Sequence, residues 1–328
     1  MDEKYISEVI DGIKELTSNQ YEVTYNLTRK NNGMELNGIC IHNRASNISP
    51  VIYLDDDYMS GMTPFETAVE VVERFQRIKD QEIPFDVSEI LNFDAMKDKI
   101  AYRVINKDAN AELLEEVPWI EVAEDLAVVC YLDLGNGATV TIQNKIIDVW
   151  GITEEMLFDI ADVNTPNMKP MEIHSLTELT IEMMEQDGML FAVKYEMGCE
   201  DMPDEEFKQM LIQSRDDGNS IPAWVIRGGD VYGASVLMYE NAMNTVREQL
   251  GSDFFVLPSS IHELIVVPYD ERYNVAELKE MVAFVNEEKL RPDEYLSDSI
   301  YFYNEKGLSV VVENPVPSYE DRYYSEAR

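Results

Sequence analysis

Three short turns constrain this chain more than any other feature. Asn31-Asn32-Gly33, Gly135-Asn136-Gly137 and Glu305-Lys306-Gly307 each separate two runs of strand-forming residues. So short a connection joins strands only in antiparallel order, because a parallel pair needs a crossover of about a dozen residues. The first pair is the alternating run Tyr21, Val23, Tyr25, Leu27 and its return over 36–41. The second runs over 126–134 and 138–142, and the third over 299–303 and 308–312. Further short apolar runs at 51–54, 119–122, 190–195, 223–226, 235–239, 254–257 and 264–267 also read as strands.

Helices are marked by their start signals. Thr63-Pro64-Phe65-Glu66 is a capping box with Pro at the first helical position, where no N–H is needed. Its helix is expected to bury Phe65, Ala68, Val69, Val72 and Phe75. Thr153 precedes two acids, Ser175 stands three residues before Glu178, and Asn274 three before Glu277. Tyr5, Ile6, Val9, Ile10, Ile13 and Leu16 form one stripe, and Ala242, Val246 and Leu250 another. Met156, Met183, Met184, Met210 and Met281 fall on helical faces and read as core filler.

Strands and helices do not alternate one for one. The fold class is therefore α+β, with two or three lobes of mostly antiparallel sheets packed with helices. The lobes are expected at 1–95, 96–200 and 221–314. Residues 201–220 read as a linker or excursion with a short helix around Phe207, Met210 and Leu211, and 315–328 as a flexible tail.

The chain carries 64 Asp and Glu against 26 Lys and Arg, a net charge of −38. That charge repels nucleic acid and anionic membranes, so neither is expected as a partner. Between Lys107 and Lys194 the only basic residues are Lys145 and Lys169. Glu112, Glu115, Glu116, Glu121, Glu124 and Asp125 belong to this acidic stretch and are the candidate contacts to a basic protein partner. A DNA mimic is the narrower form of that reading. Cys40, Cys130 and Cys199 are odd in number; the first two sit in apolar runs and read as small core residues. The acidic N-terminus does not resemble a signal peptide, and no run is long enough to span a membrane. By elimination the chain is expected to be cytoplasmic.

Catalytic signatures are sparse. No phosphate-binding glycine loop and no G-x-S-x-G elbow occur. Of the histidines His42, His174 and His262, none has a second at metal-ligand spacing; His262-Glu263 opens like a zinc-protease motif, but Val266 stands where the second ligand belongs. Ser259, Ser260, His262 and Glu263 form the candidate catalytic cluster, and Asp55, Asp56 and Asp57 the candidate cation ligands. Neither set carries the further groups that its chemistry needs. No cofactor is expected.

The stretch from Leu257 to Gly307, LPSSIHELIVVPYDERYNVAELKEMVAFVNEEKLRPDEYLSDSIYFYNEKG, with the upstream YLDLGNG hairpin, resembles an uncharacterised family of acidic proteins from gut Firmicutes. That family is labelled a domain of unknown function, the one numbered 5688. The LDLG hairpin and the strand after Pro258 also resemble a second uncharacterised family from bacilli. Members of the first are similar to cargo of mobile elements, which implies a role in host interaction or defence. Neither resemblance supplies catalytic residues. The leading expectation is a non-enzymatic acidic protein-interaction module. An enzyme using Asp and Glu, or the Ser/His cluster, is the alternative, and oligomeric state is left open.

Overall fold

The computed structural model describes residues 1–42, 49–78, 87–135, 137–216 and 221–311. The expected tail, residue 136 of the second turn and the last residue of the expected closing strand lie outside these. The chain divides into two compact units, Met1–Asp98 with Asp148–Gly151, and Lys99–Ile147 with Ile152–Arg328. The fold is α+β. Among the described residues every strand pair is antiparallel.

The first unit opens with α1 (Glu3–Leu16), whose first turn is capped by the Asp2 carboxylate accepting the Tyr5 N–H at 2.7 Å. Strands β1 (Glu22–Arg29), β2 (Glu35–His42) and β3 (Val51–Tyr53) form one sheet in that order. Asn32 and Gly33 take left-handed backbone between β1 and β2. Helices α2 (Asp55–Met59) and α3 (Pro64–Ile78) follow, then α4 (Phe93–Met96). Val9 and Ile13 of α1, Ile39 and Ile41 of β2, and Ala68, Val71 and Phe75 of α3 make the core. Gly12 allows the close crossing of α1 on α3, since a Cβ there would stand 2.9 Å from that of Ala68.

The capping box forms as expected: the Thr63 N–H donates to Glu66 Oε2 at 2.8 Å, and the Glu66 N–H to Thr63 Oγ1 at 3.4 Å. The Thr63 N–H and hydroxyl both donate to Glu66 Oε2 and hold that carboxyl below the usual carboxylate range. Thr63→Ala is expected to cost about 1 kcal/mol, read as a lower thermal midpoint. The buried face of α3 differs from the expected stripe. Thr67 is buried, its hydroxyl meeting that of Tyr5 at 2.6 Å, and Phe65 is exposed.

The second unit begins with β4 (Ile100–Asn106), a strand buried along its whole length. The sequence reading misses it, because Arg103 and Asn106 interrupt its apolar run. Then come α5 (Ala111–Leu114), β5 (Trp119–Ala123), β6 (Leu126–Asp133) and β7 (Thr139–Thr141). β6 is central, paired with β4 on one side and with β5 and β7 on the other. Helix α6 (Asn144–Trp150) leads to α7 (Glu154–Met168), capped by Thr153 as expected. Thr165 of α7 accepts the Tyr102 N–H, fixing that helix on β4.

Strand β8 (Met171–Ser175), also missed, leads into α8 (Leu176–Gln186), α9 (Leu190–Glu196) and α10 (Asp204–Asp216). Strand β9 (Trp224–Gly228), helix α11 (Ala242–Leu250), β10 (Phe254–Pro258), β11 (Leu264–Pro268), α12 (Val275–Glu288), β12 (Tyr301–Asn304) and β13 (Gly307–Val310) complete the unit. The six-stranded sheet runs β13-β12-β10-β11-β9-β8. Phe255, Leu257, Val267 and Phe302 pack with Val275, Leu278 and Val282 of α12.

Two expected strands are helical. Residues 190–195 lie in α9, because Leu190 and Lys194 stand one turn apart and turn inward together. Residues 235–238 lie in a 3₁₀ turn over Gly233–Met238, and Tyr239 caps it with extended backbone. There the buried Ser235 hydroxyl bonds the Tyr232 and Tyr102 carbonyl oxygens, and its N–H reaches Tyr232 O, which curls the chain out of any strand.

Candidate functional site

Arg103 projects from the centre of β4, and it is 8% exposed. In antiparallel pairing Ala101 faces Tyr131 and Arg103 faces Val129, so Arg103 and Tyr131 share a face of the sheet. Thr141 faces Tyr131 from β7. The guanidinium donates from Nη1 to Tyr232 Oη at 2.8 Å and from Nη2 to Thr141 Oγ1 at 3.1 Å. Its carbon stands 4.8 Å from the Tyr232 ring centre. Among the described residues Nε is buried without a hydrogen-bond partner, and so is the hydroxyl of the fully buried Tyr131. Tyr131 meets Tyr232 edge to face at 5.2 Å. Burial, then the nearby Asp133 charge, pushes the Tyr131 phenol well above its ordinary value.

Tyr232 itself is strained. Its φ of 58° lies in the left-handed region, which a bulky side chain rarely adopts. His262 supports it from outside: the rings are stacked within 15° at 6.2 Å, and the Tyr232 N–H donates to His262 Nδ1 at 3.2 Å. Nδ1 is thus an acceptor, and Nε2, 4.0 Å from Glu294 Oε1, carries the ring proton. Lys169 closes the cluster with an ion pair to Asp133 at 3.3 Å and a bond to Val231 O at 3.2 Å.

Of the candidate catalytic residues, only His262 belongs to this cluster. Ser259 donates to Glu263 at 3.4 Å, and the Ser260 hydroxyl accepts the His262 N–H at 3.0 Å. The four residues are one turn, in which the described partners of the imidazole are Tyr232 and Glu294 rather than a serine. The candidate cation ligands start α2; Asp56 is exposed, and the other two are spent on structure. Asp57 is buried against Arg74 at 2.7 Å, and Asp55 accepts the Asn37 N–H and side-chain amide, both at 2.8 Å. Among the described residues no three His, Cys, Asp or Glu side chains form a group that could hold a metal ion.

The candidate partner-binding acids separate. Glu112, Glu115, Glu116, Glu121 and Glu124 are exposed around α5 and β5, and Glu121 pairs with Lys107 at 2.6 Å. Asp125 instead accepts from Ser297 at 2.5 Å and Tyr301 at 2.6 Å, tying the β5–β6 turn to the start of β12. Cys40 and Cys130 are buried, as their apolar runs imply.

Sequence reasoning also missed the outer face of α8 and α9. Met183, Met156 and Met281, expected in the core, are exposed, while Met184 and Met210 are half-buried. Helix α9 buries a lysine and exposes two aromatic side chains. Beside Leu190, the side chain that goes inward is Lys194, whose Nζ bonds Met202 O at 2.5 Å and Asp204 at 2.6 Å. Phe191 and Tyr195, one turn apart, are 69% and 66% exposed, with Met183, Met189 and Met197 exposed nearby in sequence. The Lys194 bond holds the Asp204 carboxyl below its usual range. The only sequence signal was the spacing of Phe191 and Tyr195, which a strand reading hides. In the first unit, Glu8, Asp11 and Glu15 of α1 and Phe65 line an open groove of about 360 Å³.

Among the described residues no helix is long and apolar enough to cross a membrane. The model of one family, described as a family of unknown function (DUF5688), matches residues 2–305. No curated protein and no solved structure matches the chain.

Proposed function

We propose that this chain, which belongs to the family of unknown function DUF5688, acts as a non-enzymatic interaction module that docks a basic amphipathic helix on the outer face of α8 and α9. The observation that carries the reading is the exposed aromatic pair of α9, Phe191 and Tyr195. A seven-residue helix that buries its lysine and turns a phenylalanine and a tyrosine to water forgoes roughly 1.5–3 kcal/mol per aromatic side chain. An apolar surface of this kind, rich in Met and aromatics, is what a partner covers.

Charge decides the kind of partner. Between Ser175 and Phe207 the only Lys or Arg is Lys194, which is buried and paired. Glu178, Glu182, Glu185, Asp187, Glu196, Glu200 and Asp201 occupy the same stretch. A helix with Leu or Phe on one face and Lys or Arg on the other meets both features, using apolar anchors at helical spacing and a basic rim.

A synthetic Lys/Leu amphipathic helix is the probe. It is expected to bind at low salt and to weaken progressively as salt screens the rim. Phe191→Ser with Tyr195→Ser is expected to weaken it about a hundredfold by removing two anchors, with the thermal midpoint unchanged because neither side chain is buried. Phe65→Ser, in the groove of the first unit, is the control and is expected to leave affinity unchanged. Absence of binding at every salt concentration would rule out the module. Undiminished binding by the double variant would rule out this surface.

A further inference from the structure

We propose that Arg103 is the anchor of a binding site for a compact oxyanion, a carboxylate or phosphate carried by a small-molecule ligand, and that Tyr232 covers it in the structure described above. This inference is independent of the docking face on α8 and α9.

The first ground is the missing counterion. Taking a guanidinium out of water costs several kcal/mol, and proteins offset it with a carboxylate. This chain has 64 carboxylate side chains, yet the described partners of Arg103 are two neutral hydroxyls, those of Tyr232 and Thr141. Asp133 of the cluster is engaged by Lys169. Arg103 is thus left as a buried positive charge with donors to spare, which matches the planar two-oxygen geometry of a carboxylate or phosphate.

The second ground is the pair of orphaned donors. Arg103 Nε and the Tyr131 hydroxyl are both buried and unbonded among the described residues, on one face of one sheet, and both side chains adjoin the Tyr232 ring. Buried groups left unsatisfied cost about 1–3 kcal/mol each, so they are rare without a reason. An oxyanion bound at Arg103 gives such donors an acceptor.

The third ground is the cover. The Tyr232 hydroxyl takes the Nη1 bond that a ligand oxygen would take. It does so from a left-handed backbone, held by the Gly233 turn and by the His262 ring outside it. Strain of that kind costs about 1–3 kcal/mol and is released if Tyr232 swings away. Two arrangements of one residue, closed over Arg103 or open, then divide the population, and ligand selects the open one.

The experiment titrates the full chain with inorganic phosphate and, separately, with acetate, following the Arg103 Nε–H resonance and the binding isotherm. Either anion is expected to shift that resonance. Tyr232→Gly, which removes cover and strain together, is expected to bind about tenfold tighter by relieving the cost of opening. Arg103→Met in that background is expected to abolish binding. Response to phosphate alone assigns a phosphate-bearing ligand, and response to acetate alone a carboxylate. An unmoved Nε–H resonance at millimolar anion in the wild-type chain and in Tyr232→Gly overturns the proposal. So does undiminished binding after Arg103→Met. If Tyr232→Gly does not fold, the wild-type resonance decides between the same two results.

Discussion

Taken from about pH 9 to about pH 12, the second unit is expected to unfold in one cooperative step, with a burst of phenolate absorbance at the same pH. Tyr102, Tyr131, Tyr239 and Tyr301 all belong to this unit and are buried. Burial is the first cause in each case, and it raises all four phenols far above the ordinary value. Asp162 adds to it at Tyr102, Asp133 at Tyr131 and the bond to Asp125 at Tyr301.

The sign follows from linkage. A phenol whose folded value is raised keeps its proton in the native state, so its contribution is complete below the unfolded value of about 10 and is lost as pH climbs toward the folded one. Each buried phenol removes about 1.4 kcal/mol per pH unit in that window, and four together about 5.6 kcal/mol. Total stability is about 5–15 kcal/mol, so roughly two pH units above 10 suffice to unfold the unit. The chain has 18 tyrosines, and the exposed ones are expected to titrate smoothly first. If all phenolate appears in one smooth curve near pH 10 while circular dichroism stays native, these four rings are not buried as described.

Gly233→Ala is expected to destabilise the second unit by about 3 kcal/mol, although it adds a single methyl group. Gly233 lies where the 3₁₀ turn passes between β9 and the turn holding His262. A Cβ there would stand 2.3 Å from His262 O, 2.9 Å from Arg227 Cβ and 3.1 Å from Gly228 N. Two of those atoms are backbone held in the six-stranded sheet or its adjoining turn, so no flexible side chain can step aside. Gly251→Ala makes the comparison: its φ of 70° imposes backbone strain, but nothing lies within 4 Å of the added group. That change is expected to cost about 1 kcal/mol. Denaturant unfolding of both variants measures the contrast. Equal losses would show that the chain is not closely packed at Gly233.

Hairpin turns and helix starts were legible because their causes are local. Asn32 and Gly33 adopt the left-handed backbone that their turn needs, and Thr63, Thr153, Ser175 and Asn274 all cap the helices they precede. Each depends on residues within about four positions, where backbone sterics and a single hydrogen bond decide. The α+β class followed from the order of these elements. Short apolar runs were not legible in the same way. Residues 190–195 and 235–239 have strand-like composition, yet packing around Lys194 and Ser235 makes 190–195 and 235–238 helical.

The sequence by itself determined where the chain turns, where its helices begin and how negative it is. Tertiary structure alone decided the surroundings of Arg103, which come from Tyr131, Thr141, Tyr232 and, outside them, His262, scattered over 160 positions (103–262). The physical reason is range. Turns and caps are set by bonds between near neighbours, whereas an uncompensated buried charge exists only once distant strands have closed around it.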